Sequence, residues 1–226
     1  MIKVASKDPI VFKNRKDAGK QLLNFIKQEV KGLNKENAVV IALPRGGVPV
    51  AFEISSALDL PLDLSIPRKI GAQNNPEYAI GAVSEHGEAF INNELLSYSH
   101  SSREYVKNEI EKQRLESQRR QQIYKKNRKP IDYKEKTVII VDDGMATGST
   151  AKSSINSVLQ AKPKKIILAL PTAPIDSLEE IKNSGKVDEI LCVSIPRIFN
   201  AVGCFYETFD QTDDSEVIEL LEKSLN

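Results

Sequence analysis

At 226 residues, 40% hydrophobic and 28% charged, the chain has the size and composition of one folded α/β domain with embellishments. A formal net charge of +1 supplies no global field to draw in nucleic acid or an anionic membrane, so such partners would need a local patch. No apolar window reaches membrane-spanning length, residues 1–12 lack the blocks of a leader peptide, and Cys192 and Cys204 have no metal-ligand spacing; these features predict a cytoplasmic protein with reduced thiols and no zinc.

In chain order, residues 15–31 place Ala18, Leu22, Leu23, Ile26 and Val30 at helical spacing. Residues 38–43 are a buried strand that ends in the turn Pro44-Arg45-Gly46-Gly47, followed by a helix over 48–58. A second strand spans 62–66 between Pro61 and Pro67. Residues 68–77 predict a mobile loop, and 78–84 with 88–91 a hairpin around His86-Gly87. From 101 to 128 the chain is charged and free of Gly and Pro. Ser101 and Glu104 have capping-box spacing, which predicts a long exposed helix with a sparse apolar face at Val106, Ile110 and Leu115.

Strands follow at 137–141, 165–170 and 189–195, and helices at 149–160 and 175–183. The tail carries Phe199, Phe205, Tyr206 and Phe209 and a closing helix over 215–225. Buried strands alternating with helices predict an α/β fold: a parallel β-sheet flanked by helices on both faces, with a flexible loop and a small hood. The expected organisation is one domain over 1–226, with a helical insertion at about 95–130 and a C-terminal hood or tail at about 196–226. Right-handed crossovers put every strand C-terminus on one ligand-binding edge.

The sharpest motif is the run from Val138 to Thr150, VIIVDDGMATGST. A buried strand ends in two carboxylates, Asp142 and Asp143, and a small-residue turn then opens a helix. The first helical amides lack internal partners and carry the positive end of the dipole. Gly148 permits close backbone approach, and Thr147, Ser149 and Thr150 add hydroxyls, so the turn suits a phosphate. The carboxylates would repel that phosphate and suit ribose hydroxyls or a hydrated Mg²⁺. Each half alone is an ordinary solvated turn or helix cap; in tandem after a buried strand they point to a sugar phosphate. The chain carries neither GxxxxGK[ST] nor GxGxxG.

In this run the sequence resembles the type I phosphoribosyltransferases, whose signature is four apolar residues, two acidic ones and a small-residue turn. The resemblance implies that Asp142 and Asp143 hold the ribose hydroxyls of phosphoribosyl pyrophosphate, directly or through Mg²⁺ and its waters. Ala146, Thr147, Gly148, Ser149 and Thr150 would wrap its 5′-phosphate. Gly144 stands where the family usually has an apolar residue, and Ala146 where hypoxanthine-guanine enzymes have Asp, which argues against those two bases without naming the acceptor.

Pro44, Arg45, Gly46 and Gly47 correspond to the pyrophosphate loop, and Arg68-Lys69 to a basic pair near the leaving group. The residues implied to act in catalysis are Asp142, Asp143, Arg45 and Lys69. The residues implied to line a base pocket are Phe199, Val202, Gly203 and Phe205. Residues 70–77 would be a lid, with Glu77 a candidate acid or base. The implied reaction is displacement at ribose C1 by a nitrogenous base with release of pyrophosphate, through an oxocarbenium-like transition state that needs a charge clamp more than a nucleophile.

Several alternatives stay open. The chain could be a non-catalytic sensor of a phosphoribosyl ligand, with its basic run (Arg114, Arg119, Arg120, Lys125, Lys126, Arg128, Lys129) touching nucleic acid. A solvated helix face is the plainer account of that run, and no nucleic-acid partner is expected. A hydrolase of a related sugar phosphate would release phosphate without a base. The exposed helix also suggests a homodimer.

Overall fold

The computed structural model describes residues 1–83, 89–124, 128 and 130–224. The elements in chain order are β1 (Ile2–Ser6), α1 (Arg15–Glu29), β2 (Ala38–Ala42), α2 (Gly47–Leu58), β3 (Leu62–Leu64), β4 (Arg68–Ala72), β5 (Asn75–Val83), β6 (Phe90–Ile91), α3 (Asn93–Ser99), α4 (Arg103–Tyr124), β7 (Thr137–Val141), α5 (Ser149–Gln160), β8 (Lys165–Thr172), α6 (Ile175–Asn183), β9 (Glu189–Ser194) and α7 (Asp214–Lys223). A 3₁₀ turn covers Val202–Phe205.

Six strands form one sheet in the order β1-β9-β8-β7-β2-β3. Every pairing in it is parallel. Alternate side chains of each strand enter opposite faces. Val40, Ala42, Ile139, Val141, Ile167 and Leu191 pack with α1, α2 and α7, while Val39, Ile41, Val138, Ile140, Leu168 and Cys192 pack with α5 and α6. Burial on both faces explains why β2 and β7 read as unbroken apolar runs. In α1, Asn14 accepts the Asp17 amide and fixes the helix start. Ala18, Leu22, Leu23, Phe25 and Ile26 form its buried face.

The segment expected to be a mobile loop is instead ordered β-structure. Residues 68–77 form β4 and the start of β5, and β4, β5 and β6 make a separate antiparallel sheet. Ile70, Ile80 and Val83 are buried beneath α4 with Val106, which supplies the apolar cluster a ribbon needs. Gly71 and the Asn74-Asn75-Pro76 run masked the strand signal. A Cβ on Gly71 would lie 2.3 Å from the Pro76 carbonyl oxygen, so the close chain crossing requires glycine. The hairpin between 78–84 and 88–91 is present as the β5–β6 pairing. Its proposed turn at His86-Gly87, the Glu77 side chain, Lys125, Lys126, Lys129 and Leu225 lie outside the described residues.

The long helix also departs from expectation. Its cap is Ser102, whose hydroxyl oxygen accepts the Tyr105 amide at 3.1 Å, whereas Ser101 Oγ accepts the Gln73 amide at 3.0 Å and ties the helix to the ribbon. Leu115 is exposed, but Val106, Ser117 and Tyr124 are buried, so α4 has an inward face that is largely polar. Two elements escaped the sequence reading. Edge strand β1 is only half-buried and pairs with β9 alone, and α3 buries no side chain, so neither presents a strong periodic signal. Among the described residues no helix is long and apolar enough to cross a membrane.

Candidate active site

The parallel register aligns the ends of β2 and β7: Ala42 pairs with Val141, and the Leu43 amide donates to the Val141 carbonyl at 2.9 Å. The turn after β2 therefore lies against the acidic pair after β7. A Cβ on Gly46 would lie 2.0 Å from Asp143 Oδ2, and one on Gly47 2.9 Å from Asp142 Cα. Neither position has room for a side chain, which accounts for the two glycines. The Pro44–Arg45 peptide bond is cis.

Asp143 is held in place by a residue the sequence reading missed. Arg15 Nε donates to Asp143 Oδ2 at 2.7 Å, with 13% and 14% of the two side chains exposed. Its guanidinium lies 3.9 Å from the centre of the Phe209 ring, and Nη1 donates to the Asp210 carbonyl. Tyr206 Oη donates to the Asp143 carbonyl, and burial followed by the Asp143 charge raises its phenol well above the ordinary range. A spacing signal for Arg15 did exist, because residues 15, 18, 22 and 26 fall on one helical face and the last three are buried.

The two carboxylates are electrostatically unequal. Burial, then the neighbouring Asp143 charge, pushes the Asp142 carboxyl well above its ordinary value, although Oδ1 accepts the Asp143 amide at 2.9 Å. Asp142 is the member of the pair that has most to gain from a cation or a hydroxyl donor.

Beyond the pair, the turn opens outward. The Met145 amide donates to the Thr172 carbonyl at 3.0 Å and Ser177 Oγ to the Ala146 carbonyl at 2.6 Å, which anchors the turn from behind. Ala146, Thr147, Ser149 and Thr150 are exposed, and the Thr147 and Ser149 hydroxyls converge to 3.2 Å. Gly148 is the N-cap of α5, with φ 72° and no side-chain cap on the helix amides. That left-handed conformation favours glycine, and a Cβ there would meet Met145 Sδ at 3.0 Å. Gly144 has its own reason: its missing side-chain volume is filled by Val202, whose Cγ1 would lie 2.5 Å from a Cβ.

A cleft of about 310 Å³ joins Pro44 to Arg68 and Lys69 on β4 and to Ser149 and Thr150 on α5. Arg68 Nε donates to Gln113 Oε1 at 3.0 Å, while Lys69 is exposed. Arg45 turns toward α7, where Nη1 lies 3.4 Å from Asp214 Oδ1; Tyr124 Oη donates to the same oxygen at 2.6 Å. The four proposed base-pocket residues divide differently. Phe205 is buried and stacks on Phe199 with centroids 5.1 Å apart, so one face of each ring is already occupied by the other. Val202 and Gly203 pack against Gly144 and Phe209 respectively. The tail residue that reaches the acidic pair is Tyr206.

The family described as phosphoribosyl transferase domain matches residues 12–206. Two Mycobacterium tuberculosis proteins, from strains CDC 1551 and H37Rv and each named "putative phosphoribosyl transferase", are 37% identical over 214 residues. That alignment covers 95% of this chain and 47% of theirs, so the chain spans about half the length of these relatives. A crystal structure of a protein from Thermus thermophilus is similar at a TM-score of 0.82 and 34% identity, covering 95% of this chain and 99% of that one.

Proposed function

Because the chain belongs to the phosphoribosyl transferase domain family, we propose that it transfers the 5-phosphoribosyl group from phosphoribosyl pyrophosphate to a nitrogenous base. The observation that carries this reading is the side-by-side placement of an exposed, uncapped helix turn and an acidic pair, with the glycine turn after β2 pressed against them. Residues 146–150 are the proposed seat of the 5′-phosphate, whose binding would hold C1 in place. Asp142 and Asp143 are the proposed partners of the ribose hydroxyls. Pro44–Gly47, Arg68 and Lys69 would face the pyrophosphate, where their charge opposes the charge building on the leaving group. Arg45 would have to leave Asp214 to join them.

Mg²⁺ fits the donor set on chemical grounds. Among the described residues no group of three metal-binding side chains occurs. Two carboxylates, one already tied to Arg15, suit a hard cation that takes most of its oxygens from water and from a phosphorylated ligand. When bound there it would neutralise charge on the pyrophosphate.

The acceptor screen tests the reading. Labelled phosphoribosyl pyrophosphate is incubated with each nucleobase, with and without Mg²⁺. Pyrophosphate release that depends on one base, and on the cation, is the expected result. Release of phosphate without any base would replace transfer with hydrolysis, and tight binding without turnover would favour a sensor.

A further inference from the structure

The inward face of α4 changes character along its length. Residues 106, 110, 113, 117, 120 and 124 recur at steps of 4, 3, 4, 3 and 4, the spacing of one continuous helical stripe. Its first members, Val106 and Ile110, pack on the β4–β6 ribbon. From Gln113 onward the stripe is polar, and each residue meets the edge of the candidate site: Gln113 accepts from Arg68, Ser117 Oγ donates to the Ile66 carbonyl at 2.6 Å, and Tyr124 donates to Asp214. Arg120 lies between them. It lines the cleft shared with Pro44, Arg68, Lys69 and Thr150, and also a neighbouring cavity of about 200 Å³ that Pro44 and Arg45 border. Glu116 orients it through a 2.9 Å bond to Nε.

We infer that Arg120 is an anion-binding residue of the leaving-group cleft, contributed by the long helix, which makes that helix part of the ligand site. The inference rests on the proposed reading of the cleft as the pyrophosphate site. Its chemistry is that of a guanidinium added to a rim that already holds Arg68 and Lys69, donors that suit a diphosphate. Arg68 feels this crowding: burial first, then Arg120, lowers its pKa. The neighbouring Arg119 shares Glu116 and borders the smaller cavity, but it is absent from the lining of the larger cleft, and 60% of its side chain is exposed.

Calorimetric titration of the full chain with inorganic pyrophosphate, phosphoribosyl pyrophosphate and ribose 5-phosphate tests the inference. Arg120→Gln should weaken pyrophosphate and phosphoribosyl pyrophosphate binding by about tenfold or more. It should weaken ribose 5-phosphate by less, because Ser149 and Thr150 of the proposed 5′-phosphate seat border the same cleft; Arg120→Lys should recover part of the loss, and Arg119→Gln should change little. Equal losses in the Arg119 and Arg120 variants, an unchanged Arg120→Gln, or a wild-type protein that ignores pyrophosphate would each overturn it. Wild-type binding of pyrophosphate but not of ribose 5-phosphate or phosphoribosyl pyrophosphate would leave Arg120 in place and remove the transferase reading instead.

Discussion

Asp142→Asn is expected to leave the thermal midpoint unchanged or raised while weakening phosphoribosyl pyrophosphate binding by about ten- to hundredfold, and Asp143→Asn is expected to lower both. The two neighbours differ because one is penalised as an anion and the other is paired. In Asp142 the amide mimics the protonated carboxyl, which burial and the Asp143 charge favour more than water does. Asparagine there removes a repulsion and keeps the shape, yet takes away the charge proposed to hold ribose hydroxyls. In Asp143 the same change strips Arg15 of its carboxylate partner at a site where both side chains are largely covered. Loss of a charge-assisted hydrogen bond there costs about 2 kcal/mol, or roughly 4–8 °C in a chain of this size.

The pH dependence follows with a definite sign. A carboxyl whose native pKa lies above its ordinary 3.8 holds its proton more tightly when folded. Its contribution to stability is therefore greatest at low pH and declines as pH rises from 3.8 through the raised native value. Melting curves of the wild type and Asp142→Asn across that window should converge at the acid end and separate as pH increases. Curves that stay parallel would mean that Asp142 is an ordinary solvated carboxylate. Ligand affinity should run the other way, strengthening with pH as the anionic form becomes available.

Gly46→Ala should abolish more than about 99% of turnover while the chain still folds, because a misplacement of about 1 Å at a reacting centre can cost a hundredfold. The added methyl would sit 2.0 Å from Asp143 Oδ2 and 2.6 Å from its Cγ. Arg15 Nε holds that same oxygen at 2.7 Å and would itself lie 3.1 Å from the added methyl, so the acid cannot swing clear without breaking the pair. Overpacking of this kind also costs about 1–3 kcal/mol of stability. Gly32→Ala separates the two consequences: Gly32 has φ +74° with open space around it, so strain should lower stability and spare turnover. If Gly46→Ala matched Gly32→Ala in activity, the turn after β2 would have no part in the chemistry.

The central sheet was legible because its strands are buried on both faces, and apolar runs such as 38–42 and 137–141 admit few other readings. The tandem of Asp142-Asp143 with residues 146–150 was legible for a related reason: polar residues directly after a buried strand must sit at the sheet edge. What escaped depended on contacts between distant segments. Arg15 meets Asp143 across 128 positions of sequence, and only its alignment with Ala18 and Leu22 hinted that it faces inward. The ribbon at 68–83 was obscured because Gly71 and Pro76, the residues that let its strands cross closely, are also loop formers. In α4 the inward stripe is largely polar rather than apolar, so it carried little hydrophobic signal, although its heptad-like spacing from 106 to 124 is intact.

The ribbon shares no strand with the parallel sheet, and the basic cleft runs between Pro44 on one and Arg68 on the other. An anion lodged there would act as mortar between two leaves. Occupancy and cohesion then become one quantity, and the melting point climbs with the logarithm of ligand concentration once the dissociation constant is exceeded.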